Sequence, residues 1–256
     1  MSLFEKMKAS IGIGAAKVDA RLDNHIVIPG KEITGEIYIL GGNVKQDING
    51  VYLNINTTIT KEIDGKRTHS NYTFFRYLVS SQFTINSKEE KTMPFSFILP
   101  FESPLSIGNT QVWIQTELDI PLALDPSDKD YIEVSPAPSN RIILEALDSL
   151  GFVLRHVENI SSPKNSIGII QEFEFFPRSG EFKGLLDEIE VVTLPNTYGI
   201  KLFLEIDRKA RGFSSFLSEA LEMDETKITL TLGFEEIEEG VYAIAEKLRN
   251  LINTYI

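Results

Sequence analysis

The stretch GEIYILGGNVKQDINGVYLNINTTIT, residues 35–60, sets the period of the whole chain. Gly35, Ile37 and Ile39 continue an alternation begun at Ile33, and Gly41–Gly42 breaks it. Asn49–Gly50 makes a second break, after which Val51, Leu53, Ile55 and Ile59 share one face opposite Asn54, Asn56 and Thr58. A period of two is that of a strand with one buried side, and glycine-containing pairs supply the turns between strands.

The same rhythm extends in both directions. Upstream, Val18, Ala20 and Leu22 alternate with charged residues before a Pro29–Gly30 turn. Downstream, Asp64–Gly65 lies between two strand-like runs as a tight hairpin signal. Phe95, Phe97 and Leu99 follow and Pro100 closes them; Val112, Ile114, Leu118 and Ile120 form another strand with Trp113 on its opposite face. Many short strands with Gly, Pro and Asn turns predict an antiparallel β-sandwich.

The segment SPAPSN, residues 135–140, holds two prolines in four positions and marks the division into domains 1–136 and 137–256. A helix follows, with Ile142, Ile143, Ala146, Leu147 and Leu150 on one face and Gly151 ending it. Strand alternation returns at Phe173–Phe175, Ile189–Thr193, Ile200–Ile206 and Ile228–Leu232. Phe213, Phe216, Leu217, Ala220 and Leu221 have helical spacing, as do Val241, Ile244, Leu248, Leu251 and Ile252. The expected fold is mainly β: two tandem antiparallel β-sandwiches with a few short helices and a C-terminal amphipathic helix.

Composition narrows the classes of function. The 256 residues are 42% hydrophobic and 24% charged, as in soluble globular proteins, and sixteen Phe with eight Tyr favour strands. A net charge of −12 without a strong basic tract repels phosphate backbones, so nucleic-acid binding is not expected. The absence of cysteine removes disulfides and thiolate chemistry. No apolar run approaches the roughly 20 residues of a membrane-spanning helix, and Glu5 precedes the short apolar N-terminal segment, which argues against a secretory leader. A cytoplasmic protein is expected. Leu3, Phe4, Met7 and Ile11 fall at helical spacing; this face either packs on the body or meets a membrane surface or partner.

Four places invite a chemical reading. TELDIPLALDPSDKDYIEV, residues 116–134, carries Asp119, Asp125, Asp128 and Asp130, but its spacing misses the carboxylate positions of a calcium loop, so it reads as a solvated connection. His25, His69 and His156 lie far apart and outside any catalytic or zinc spacing. Glu172 and Glu174 share a strand face, as do Glu188 and Glu190, and alternating acids of this kind read as a solvated outer face. Arg208, Lys209 and Arg211 form the one basic cluster, a contact between domains or with a partner, lipid head group or phosphate. No catalytic, cofactor-binding or metal-binding set emerges.

Four blocks carry a family likeness: MSLFEKMKASIGIGAAKVDARL, VWIQTELDIPLALDPSDKDYIEVSP, QEFEFFPRSGEFKGLLDEIEVV and IDRKARGFSSFLSEAL. The chain resembles, from its first residue to the region of Leu221, the sporulation-control (stage-zero M) proteins of Bacillus-type bacteria. The resemblance implies an arrestin-like pair of β-sandwiches and a cytoplasmic regulatory role linked to cell-division and cytoskeletal proteins. It implies no catalytic residue and no cofactor, and it makes the acidic segment an end-of-domain connector. The expectation is a non-enzymatic adaptor that binds protein partners along a sandwich edge, with self-association left open. Its rivals are a membrane-peripheral adaptor using Leu3, Phe4 and Met7 and, less favoured, a metal-dependent enzyme.

Overall fold

The computed structural model describes residues 15–63, 66–121, 127–207 and 228–256. Within them the chain is mainly β, with chiefly antiparallel pairing and parallel bridges at Thr60–Ile160 and Lys183–Leu186. Its packing divides into two units. One comprises the chain up to Thr57 with Asn71–Leu99 and Gln111–Glu133; the other comprises Thr58–Ser70, Pro100–Thr110 and Val134–Ile256. The units are therefore not consecutive in sequence. β5 (Gly50–Ile63) and β6 (Lys66–Ser80) are 14 and 15 residues long, far above the usual five or six, and the end of β5 from Thr58 and the start of β6 up to Ser70 belong to the second unit.

In the first unit, β1 (Lys17–Leu22) and β8 (Glu90–Ile98) flank β3 (Glu32–Leu40). Ala20 lies opposite Ile37, and Ile37 opposite Met93. A second sheet runs β6–β5–β9–β10–β2, with β9 at Val112–Asp119, β10 at Ser127–Val134 and β2 at Ile26–Val27. β4 (Gln46–Ile48) pairs with β7 (Phe83–Ile85). β1 packs on β9, so the two larger sheets face one another. Ile37, Ile39, Leu53, Ile55 and Ile114 are completely buried, as the alternation around residues 35–60 requires.

In the second unit, β11 (Phe152–Ser161), β12 (Ile169–Pro177), β13 (Glu188–Asn196), β14 (Gly199–Asp207) and β15 (Ile228–Gly233) form an antiparallel sheet in chain order. The distal part of β5 joins β11 through Thr60 and Ile160. Helix α1 (Pro138–Ser149) starts with proline in its first turn and ends where Gly151 takes φ +89°. α2 (Phe234–Glu238) and α3 (Val241–Tyr255) close the chain. α1 packs on α3 and on β11, β13 and β14. Asn140 of α1 donates to Thr193 Oγ1 at 3.0 Å, which identifies the helix-covered side of the sheet. Register puts Phe173, Val191 and Leu204 in one row on that side, and Phe175, Ile189 and Ile206 in the next.

One expectation changes here. The acidic segment is not a loop beyond Ser127: residues 127–134 form β10 and pair with β9, Tyr131 opposite Trp113. Ile132 and Val134 are buried on the same side as Asp128 and Asp130, so aspartates at inward positions hid the strand's period.

Candidate functional site

The side of the second unit's sheet that faces away from α1 carries carboxylates in cross-strand rows. Glu158 lies opposite Glu172, while His156, Glu174, Glu190 and Glu205 are successive partners across four strands. Directly opposed side chains stand roughly 5 Å apart, so like charges there repel. These acids are not the solvated face expected from sequence: Glu172 is 6% exposed, Glu174 5% and Glu158 9%. The same side also presents Ile160, Ile170, Val192 and Phe203 as a buried apolar cluster, and the acids continue that covered surface. Alternation identified their common face but carried no information on what lies over it.

Burial dominates their electrostatics. It pushes Glu172 up to about 8, with Glu190, Glu158 and Glu205 adding to the rise and Arg67 opposing it. Burial also raises Glu190 to about 7, helped by Glu205 and Glu188. The Oε2 atoms of Glu172 and Glu190 are buried without a hydrogen-bond partner. Near neutral pH this face therefore holds protons that isolated glutamates would release.

A bulge supplies the main counter-charge. The β11–β12 register slips between Leu154 and His156, leaving Arg155 as the extra residue. Its guanidinium reaches Glu174 Oε1 at 3.0 Å and Glu188 Oε2 at 2.9 Å. Arg67 on β6 stands 3.7 Å from Glu158, and His156 Nε2 stands 3.8 Å from the same carboxylate. The structure brings together two of the three histidines: His69 and His156 line one cleft of about 310 Å³ in this unit. Strand pairing at a sequence separation near ninety residues creates that proximity, and no local motif announces it.

In the first unit, Asp128 Oδ2 accepts the Ala20 amide at 3.4 Å. Burial and then the neighbouring Asp128 carboxylate push Asp130 up to about 6. Lys129, on the other side of β10, places its ammonium 4.1 Å from the Trp113 ring centre. Among the described residues, no three His, Asp or Glu side chains are placed to share a metal ion.

The feature best shaped for contact with a partner is the margin of the second unit's sheet. Among the described residues β15 pairs with β14 alone. Thr229 and Thr231 are exposed along it. Tyr198, in the β13–β14 turn, is 83% exposed, and Phe234, directly after β15, is 49% exposed. The Phe234 amide donates to the Tyr198 carbonyl at 3.3 Å, so both aromatics stand at the same end of the strand. A margin that pairs with no further strand among the described residues and two exposed aromatics offer main-chain pairing and an apolar anchor.

The residues singled out in the sequence as contacts, Leu3, Phe4 and Met7 at the N-terminus and Arg208, Lys209 and Arg211 after β14, lie outside the described residues, as does Asp125. Among those described, no helix is long and apolar enough to cross a membrane.

Known proteins match this chain along its length. A family model described as SpoOM protein matches residues 4–210. The sporulation-control protein spo0M of Bacillus subtilis (strain 168) is 36% identical over 259 residues, spanning 100% of this chain and 99% of that protein. The crystal structure of Spo0M, sporulation control protein, from Bacillus subtilis superposes with a TM-score of 0.88 at 33% identity, covering 95% of this chain and 100% of the other.

Proposed function

The chain belongs to the SpoOM protein family of sporulation-control proteins, and from that premise we propose that it is a non-enzymatic cytoplasmic regulator acting by binding a protein partner. The β15 margin is its contact surface. A partner segment in extended conformation adds a strand beside β15, with side chains at alternate positions resting on Tyr198 and Phe234. The observation that carries this reading is a strand margin with no further strand beside it among the described residues, and both aromatics at one end. Cell-division and cytoskeletal proteins are the partner class favoured by the family resemblance.

Paired substitutions test the surface. Replacing Tyr198 and Phe234 by alanine removes the anchor, and aromatic hot spots of this kind are worth about 2 kcal/mol or more, so capture of the partner from sporulating cells should fall roughly 30-fold. Thr229→Lys with Thr231→Lys places charges along the margin and should have the same effect. Both variants should unfold within about 2 °C of the parent, since exposed changes seldom exceed about 0.5 kcal/mol. Undiminished capture by both variants would remove the margin from the account.

A further inference from the structure

The cleft holding the two histidines has a composition suited to one kind of ligand. Its walls come from Thr58 and Thr60 on β5, His69 on β6, Asn109 and Thr110 before β9, and His156 and Glu158 on β11. Hydroxyl, amide, imidazole and carboxylate groups are set among apolar surface that includes Val157, and the described lining contains one acid and no lysine or arginine. Its volume of about 310 Å³ sits at the lower end of ligand sites, so the occupant is small.

Charge decides the sign of that occupant. Glu158 is 9% exposed and stands opposite Glu172, whose buried Oε2 has no hydrogen-bond partner. Glu190 and Glu205 add negative field from β13 and β14, whereas Arg67 from β6 is the cation facing Glu172 and Glu158. A phosphate or carboxylate ligand would meet this field unfavourably, and an apolar one would strand the polar walls. A metal ion lacks three suitably placed side chains among the described residues. An ammonium group brings three donors to a wall rich in acceptors and needs no fixed coordination geometry.

We propose that the cleft binds a small organic cation, an alkyl diamine or polyamine, with one ammonium held by Glu158 and the threonine and asparagine groups around it. The site is separate from the β15 margin and does not depend on the partner reading.

A second consequence is linkage to protons. A cation beside Glu158 offsets the negative potential that, together with burial, keeps Glu172 protonated, so binding releases protons and tightens as pH rises from about 6 to 8.5.

Titration calorimetry on the full chain near pH 8 tests the proposal, with putrescine and spermidine as probes and 1,4-butanediol and glutarate as neutral and anionic controls. The expected result is a diamine Kd below about 1 mM, no heat from the controls, and heats that vary with buffer ionisation as protons leave. Glu158→Gln should weaken binding at least tenfold, whereas Glu145→Gln on the exposed side of α1 should not change it. Should Glu158→Gln fail to fold, Asn109→Leu at the exposed rim should weaken binding severalfold. Silence with every amine, equal binding of the diol, or an undiminished Glu158→Gln signal would overturn the proposal. Tighter binding of Nα-acetyl-lysinamide than of putrescine would overturn it too, by assigning the cleft to a polypeptide lysine.

Discussion

At about pH 8.5, Glu172→Gln should make the protein more stable than the parent, and the advantage should vanish near pH 5. The parent carboxyl is held at about 8 against an ordinary 4.5, chiefly by burial and then by Glu190, Glu158 and Glu205. Between those two values the folded protein binds a proton that the unfolded chain releases. Stability from this group is therefore complete below about pH 4.5 and is lost progressively as pH rises toward 8. At about 1.4 kcal/mol per unit the ceiling is about 5 kcal/mol, and relaxation of the surroundings should reduce it to about 2–3 kcal/mol. For a chain of this size that is roughly 4–12 °C in unfolding temperature. Glutamine keeps the shape and the hydrogen-bonding capacity while removing the charge. Glu190, raised to about 7, adds a slope of the same sign, so the variant should retain a shallower pH dependence. Thermal unfolding followed across pH 5–9 checks both points. An equal loss of stability at every pH would show that Glu172 is ionised in the folded state.

Gly199→Ala should be as damaging as Glu172→Gln is stabilising. Gly199 sits at the β13–β14 turn with φ +155°, and an added Cβ would stand 2.0 Å from the Leu232 carbonyl oxygen. That oxygen belongs to the backbone of β15, so the clash is relieved only by moving β15 off β14. Gly199 pairs with Gly233 and Ile200 with Leu232, which places the damage at the C-terminal end of β15 and the start of α2. A cost of about 3 kcal/mol or more is expected. Hydrogen exchange should show lost protection at 228–233, while β1, β3 and β8 in the other unit keep theirs. Partner capture should fall with it, because the margin and the Tyr198–Phe234 pair share this corner.

The alternation at residues 35–60 and its counterparts made most strands visible, because buried Ile37, Ile39, Leu53 and Ile55 sit at every second position. The two longer helices of the second unit were legible for the complementary reason: Ile143, Ala146, Leu147, Ile244, Leu248 and Ile252 recur at helical spacing and are buried. Reading by hydrophobic period failed where inward positions are acidic. Asp128 and Asp130 disguised β10 as a loop, and Glu172 and Glu174 looked solvated although they are among the most buried polar residues described. The His69–His156 cleft arises from pairing distant strands and has no local signature. The β15 strand was visible from Ile228, Leu230 and Leu232, but its place at the end of the sheet is a property of strand order alone.

The most direct test of partner binding at that margin is site-specific photo-crosslinking in sporulating cells, with the reactive residue placed in turn at Tyr198, Thr231 and Glu145. The account predicts one and the same partner protein joined at Tyr198 and Thr231 and absent at Glu145, which lies exposed on α1. Bait recovered without adducts at Tyr198 and Thr231, or with the same adduct at all three positions, would contradict it.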